Sequence, residues 1–145
     1  MTTQHQGRLL DHVHLRVADL AASRRFYRAA LQAIDRLDAF GENGEAFWAD
    51  ELYVDRADTT VSRVHLAFQA RSEAQVQAFH AATIAAGGRD NGAPGGRDNG
   101  APGRRRYGPS YYAAFVLDPD GNNIEAVWHG PARRSAESVQ IEPLH

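Results

Sequence analysis

Two histidines and one carboxylate stand on alternating strand patterns that can present them to a metal ion. Residues 9–17, LLDHVHLRV, place Leu9, Val13, Leu15 and Val17 on one side and His12, His14 and Arg16 on the other. That is the period-2 signature of a half-buried strand. RVHLAFQ at 63–69 alternates likewise, with Val64, Leu66 and Phe68 opposed to Arg63, His65, Ala67 and Gln69. In NIEAVW at 123–128, Glu125 shares a face with Asn123 and Val127, and Ile124, Ala126 and Trp128 form the other. Helices must cover the apolar sides, so His12, His65 and Glu125 fall on faces free of helix. If the sheets curve around a common cleft, the three converge. Two imidazoles and a carboxylate are a ligand set for divalent zinc, iron, manganese or nickel, with positions left open for substrate.

A histidine on a strand is more often a half-buried surface residue than a ligand, and Glu125 can equally be an exposed strand residue. Recurrence argues otherwise. The same offset of 53 residues separates His12 from His65, Asp19 from Ser72 and Phe26 from Phe79. Strand, helix cap and helix core thus share one register, as in two degenerate copies of a strand–helix–strands module. Core residues survive duplication for packing reasons. An imidazole on the side away from the core has no such reason to recur.

What the chain lacks narrows the chemistry further. Among its 145 residues there is no cysteine, and all 16 basic residues are arginine. Disulfides, thiolate zinc sites, thiol nucleophiles, lysine Schiff bases and the phosphate-loop lysine are all excluded. The net charge of −2 gives no general attraction to nucleic acid or anionic lipid. No apolar run of ~18 residues is present to span a bilayer, and no secretory leader is visible, so a cytoplasmic location is the expectation.

The positioning elements are legible in outline. Asp19 is a helix N-cap, followed by about 15 residues with Leu20, Tyr27, Ala30 and Leu31 on one stripe. Short segments follow between 38 and 60: GENG at 41–44 reads as a hairpin turn, and AFW at 46–48 and LYV at 52–54 as short strands. Ser72 and Gln75 form a capping box for a helix bearing Val76, Phe79 and Thr83, stopped by Gly87-Gly88. His80 on that helix reads as structural. YYAAFVL at 111–117, DPDGN at 118–122 and NIEAVW at 123–128 read as strand, hairpin turn and returning strand. GRDNGAPG at 88–95 recurs unchanged at 96–103. Asp90 and Asp98 suggest a metal-binding repeat, but two copies cannot build such a helix, so a loop duplication is the better reading. The final residues, 130–145, read as a polar tail or, through Val139 and Ile141, a short edge strand.

The pattern LDHVHLRVADLAASRRFYRAAL, then RVHLAFQARSEAQVQAFHAATIAAGG, then FVLDPDGNNIEAV resembles the vicinal oxygen chelate superfamily of glyoxalases, bleomycin-resistance proteins and extradiol dioxygenases. The resemblance implies an α+β fold: one domain over 1–145, with βαβββ modules at 9–60 and 61–129 curving around a cleft and helices on the outer face. It also implies a divalent metal held by His12, His65 and Glu125, and a homodimer, sometimes with the cleft assembled from both chains. Many members supply a fourth ligand late in the first module. Here that segment is EAFWADEL, with Trp48 at the position and Glu45 or Glu51 nearby, which favours a three-ligand or vestigial site and counts against glyoxalase I.

Residues with substrate-binding claims are His14 and Arg16, which share the side of His12, and Trp48, Tyr111 and Tyr112 as aromatic pocket walls. Against these stand a solvated strand face for the first two and core packing for the aromatics. The run Arg104–Arg106 reads as solvated loop or as a cover over an anionic ligand. The functional expectation is a divalent-metal-dependent lyase, isomerase or dioxygenase acting on a small substrate with adjacent oxygens, Glu125 being both ligand and proton carrier. The alternative is a metal-free protein that binds a drug or metabolite. A ferredoxin-like interaction domain would explain the elements but not the recurring histidine.

Overall fold

Helix α1 (Leu20–Ala33) begins where Asp19 accepts a hydrogen bond from the Ala22 N–H, as the sequence predicts. Its stripe of Leu20, Phe26, Tyr27, Ala30 and Leu31 is buried. Helix α2 (Glu73–Ala85) repeats the device: Ser72 accepts from the Gln75 N–H, while the Gln75 side chain reaches back to the Arg71 N–H. Each satisfied cap is worth about 1 kcal/mol. This is a computed structural model describing residues 9–91, 100–108, 110–136 and 142–144. The second copy's residues 96–99, and Val139 and Ile141 of the expected edge strand, lie outside that range.

The α+β expectation is met by two mixed sheets of one plan. In the first, β1 (Val13–Val17) runs parallel to β4 (Leu52–Arg56), followed by antiparallel β3 (Ala46–Ala49) and β2 (Phe40–Glu42). In the second, β5 (His65–Gln69) runs parallel to β9 (Asn123–Trp128), followed by antiparallel β8 (Tyr112–Leu117). Two short strands, β6 (Arg89–Asp90) and β7 (Gly103–Arg104), both pair with β8. Each half is thus strand, helix and returning strands, with its first strand beside its last.

One apolar cluster joins the halves. It runs from Leu15, Val17 and Phe47 through Phe26, Tyr27 and Phe79 to Val116 and Ile124. The two helices pack against each other within this layer. A polar clamp ties α1 to the second sheet. Asp118 accepts from the Tyr27 hydroxyl at 2.6 Å and from the N–H groups of Asp120 and Asn122 and the Asn122 amide at 2.8–3.0 Å. Gly121, at φ +87°, makes the DPDGN turn possible, because a side chain there would strain the backbone.

Several strand boundaries differ from the sequence reading: β3 runs on to Ala49, β4 runs on to Arg56, and β8 starts at Tyr112 rather than at 111. The first strand starts at Val13, and Leu9, expected on the inward side, is 91% exposed. Asp11 already interrupts the apolar parity of Leu9 and Val13, and the pairing with β4 ends at Val13 and Leu52. The predicted strand at 63–69 begins at His65. The GENG turn is built by Asn43, whose side chain accepts from the N–H groups of Glu45 and Ala46.

Candidate functional site

Glu125 is a carboxylate only 2% exposed, on the helix-free face of β9. The parallel register of β5 and β9 sets Ala67 opposite Glu125 and His65 one pleat away on the same face. His65 Nε2 lies 2.8 Å from Glu125 Oε1. The Tyr111 hydroxyl donates to Glu125 Oε2. Burial first, and then the hydrogen bond and negative charge of Glu125, push the Tyr111 phenol well above its ordinary value, so at neutral pH it is a donor.

These three residues line a cleft of about 480 Å³ with Asn91, Arg105, Tyr107, Phe115 and Asn123. The parity of β8 explains the aromatic wall. Tyr111, Ala113 and Phe115 turn to the cleft face, where they form a small cluster with Val127. Tyr112, one residue on, turns to the helix layer and accepts from the Gln77 side chain at 3.0 Å. Adjacent strand residues cannot share a face, so of the two tyrosines expected to bind substrate only Tyr111 reaches the cleft. Among the three consecutive arginines, Arg105 lines it.

His12 is elsewhere. It precedes β1, is exposed, and places Nδ1 2.7 Å from Asp11. With His14, Trp48, Asp50, Leu52 and Tyr53 it lines a second hollow, of about 470 Å³, on the outer face of the first sheet. There His14 Nε2 is 2.7 Å from Asp55 and its ring meets Tyr53 edge-on. Trp48 stacks on Tyr53 with ring planes 9° apart. Gly41, paired across the strands with Trp48, leaves the space that the indole occupies. Arg16 shares the face but lines neither hollow.

Within one chain, therefore, His65 and Glu125 meet and His12 does not join them. Among the described residues no group of three or more histidines and carboxylates is clustered to hold an ion. The sequence reading missed Tyr53, Asp55, Arg105 as distinct from its neighbours, and Phe115. Tyr53 and Phe115 were open to parity: each sits on the face opposite inward neighbours, Leu52 and Val54 for one, Ala114 and Val116 for the other. Asp55 shares the parity of Tyr53, and its meeting with His14 follows only from the parallel β1–β4 register, which sets it opposite Arg16.

The fold and this histidine–carboxylate cleft define a class. A family model, the Glyoxalase/Bleomycin resistance protein/Dioxygenase superfamily, matches residues 9–126. The chain belongs to that superfamily. It is similar to a glyoxalase/bleomycin resistance protein of Albidiferax ferrireducens, at 30% identity and TM-score 0.66, covering 82% of this chain and 97% of that one. It also resembles a lactoylglutathione lyase of Agrobacterium tumefaciens (18%, TM-score 0.56, covering 83% and 92%). A third likeness is to the oxidase ChaP-H2 (20%, TM-score 0.57, covering 95% and 98%). At such identities the last two show the fold alone. No curated protein matches the chain.

Proposed function

We propose that the chain is a divalent-metal-dependent enzyme acting on a small substrate with adjacent oxygens. Its ligands would be His65 and Glu125 of one protomer and His12 of a second. The observation that carries this reading is the buried Glu125 carboxylate paired with an imidazole at 2.8 Å on the wall of an open cleft. Two ligands of one ion with bonds of about 2.1 Å stand roughly 3.0–3.4 Å apart, so this pair needs only a slight opening to admit zinc, iron, manganese or nickel. His12 is of the right chemistry but lines a different hollow. A two-fold pairing that sets the first sheet of one protomer against the second sheet of its partner would complete the set.

A bound divalent cation would supply Lewis acidity toward the two substrate oxygens. The chain's own contribution is positional. Tyr111, held protonated, fixes Glu125 Oε2 and so orients Oε1 toward His65. In this reading Glu125 would also be the carboxylate that moves a proton at the reacting carbon. Phe115 and Tyr111 shield one wall from water. The hydrogen-bonded series His65–Glu125–Tyr111 is also complete in itself, which favours the second reading, a metal-free binding protein.

Metal analysis of the purified protein and of His65→Ala distinguishes the two. A stoichiometric metal that disappears in the variant supports the enzyme. No metal in either protein after reloading with zinc, iron, manganese and nickel supports the binder.

A further inference from the structure

The hollow on the outer face of the first sheet gives His12 to the proposed metal set and leaves the rest of its lining unused. Trp48 and Tyr53, cross-strand partners on β3 and β4, have ring centroids 6.4 Å apart and planes within 9° of each other. The His14 ring stands edge-on to Tyr53, with centroids 5.1 Å apart and planes at 82°. Two near-parallel rings thus meet a third set upright against them. The pair is within reach of a ligand: Trp48 is 37% and Tyr53 38% exposed, on a hollow of about 470 Å³. That is the size of small-molecule sites.

The charges around these rings set the sign of what can bind. His14 lies 2.7 Å from Asp55 and His12 2.7 Å from Asp11, so each imidazole has a carboxylate of its own. Asp50, exposed in the turn between β3 and β4, also lines the hollow. Among the described residues its carboxylate has no hydrogen-bond or ion-pair partner. Arg16, on the same face, does not line the hollow. An uncompensated negative charge therefore stands beside exposed aromatic faces. Such faces attract cations, and alkylated ammonium groups above all. A primary ammonium is a compact, strongly hydrated charge, whereas methyl groups on the nitrogen loosen that water and add apolar contact with the rings. An anion would meet repulsion from both the carboxylate and the ring faces.

We infer that this hollow binds a small organic cation, an alkylated ammonium seated on Trp48 and Tyr53 beside His14, with Asp50 as its counter-charge. The inference goes beyond the proposed function and needs neither a metal nor a second protomer. In the pairing proposed above, the hollow would open toward the partner's Glu125 cleft, because His12 lines it.

The test is calorimetric titration of the full chain, with chelator present, against three probes of similar shape. Choline carries the cation, neohexyl alcohol has carbon in place of its nitrogen, and pivalate presents the same three methyl groups with the opposite charge. Choline binds about tenfold more tightly than neohexyl alcohol, the combined scale of one cation–aromatic contact and one exposed ion pair, and pivalate binds more weakly than either. Asp50→Asn keeps the left-handed backbone (φ +46°), which asparagine also adopts, and lowers choline affinity severalfold while leaving the alcohol unchanged. Trp48→Leu keeps apolar bulk at an exposed position and removes most of the preference for choline over the alcohol. Thermal melts of both variants separate lost binding from lost folding, and if Trp48→Leu does not fold, Asp50→Asn decides alone. Choline no tighter than neohexyl alcohol, no saturable choline binding at millimolar concentration, or a preference that survives substitution overturns the inference. Metal content is read separately and bears only on the proposed function.

Discussion

Replacing Tyr27 by Phe removes one hydroxyl from the interior and tests the clamp that joins α1 to the β8–β9 turn. Tyr27 is fully buried and Asp118 is 1% exposed, with 2.6 Å between the hydroxyl and Oδ2. A buried hydrogen bond to a charged group is worth about 1.5–3 kcal/mol. In the variant Oδ2 keeps the Asn122 amide at 3.0 Å, and Oδ1 keeps two backbone N–H groups, so the carboxylate is under-satisfied but not orphaned. The expected loss is therefore about 2 kcal/mol. For a chain of this size that lowers Tm by roughly 4–8 °C. The pH dependence has a definite sign. Burial first, and then the Asp118 charge and hydrogen bond, raise the Tyr27 phenol well above its ordinary value. The contribution is complete at neutral pH and is lost above about pH 10, where unfolded tyrosine ionises while the folded side chain keeps its proton. Urea titrations from pH 7 to 11 should show the native protein losing stability above pH 10 more steeply than Tyr27→Phe. A variant within 1 °C of the parent, or one with the same alkaline slope, refutes the clamp as an energetic element.

Other outcomes follow from the same geometry. Tyr111→Phe frees Glu125 Oε2, and the loss of such an outer partner should weaken metal binding by about 10–100-fold, read by competition with a chromogenic chelator, while Tm moves by only a few degrees. Unchanged affinity would mean that Tyr111 does not orient the carboxylate. Deleting residues 92–99 leaves a single intact GRDNGAPG. The flanks already meet: the Asn91 N–H reaches the Phe115 carbonyl at 3.4 Å, the Phe115 N–H reaches the Gly100 carbonyl at 2.8 Å, and Gly100 packs against Asp90. The shortened chain should unfold cooperatively at an equal or higher temperature, since closing a shorter loop costs less. A drop of more than about 5 °C, roughly 1–2 kcal/mol, would show that the extra copy carries packing.

The local part of this architecture was open to inspection in the residues. Asp19 and Ser72 mark both helix starts because caps act through the nearest turn, and the clustering of Asp, Pro and Gly at 118–122 marks the last hairpin for the same reason. What local pattern cannot carry is which hollow a face belongs to. His12 and His65 stand at the same offset in the two modules, yet the modules form two separate sheets and each histidine lines its own cleft. The parity of Ala113 and Phe115 in β8, shared by Tyr111 just before it, likewise needed the helix side to be known before Tyr111 could be separated from Tyr112. Arg105 is distinguished from Arg104 and Arg106 by backbone carbonyls that only the folded loop assembles.

The proposal of a metal site shared between two protomers is tested most directly by mixing two crippled chains. His12→Ala and Glu125→Gln are purified, each shown to bind no stoichiometric metal, then unfolded together, refolded and reloaded. If the site draws His12 from one protomer and His65 and Glu125 from the other, half of the randomly paired dimers contain one intact set. Bound metal then returns at about 0.25 per chain. A mixture as empty as its separate components would contradict the account.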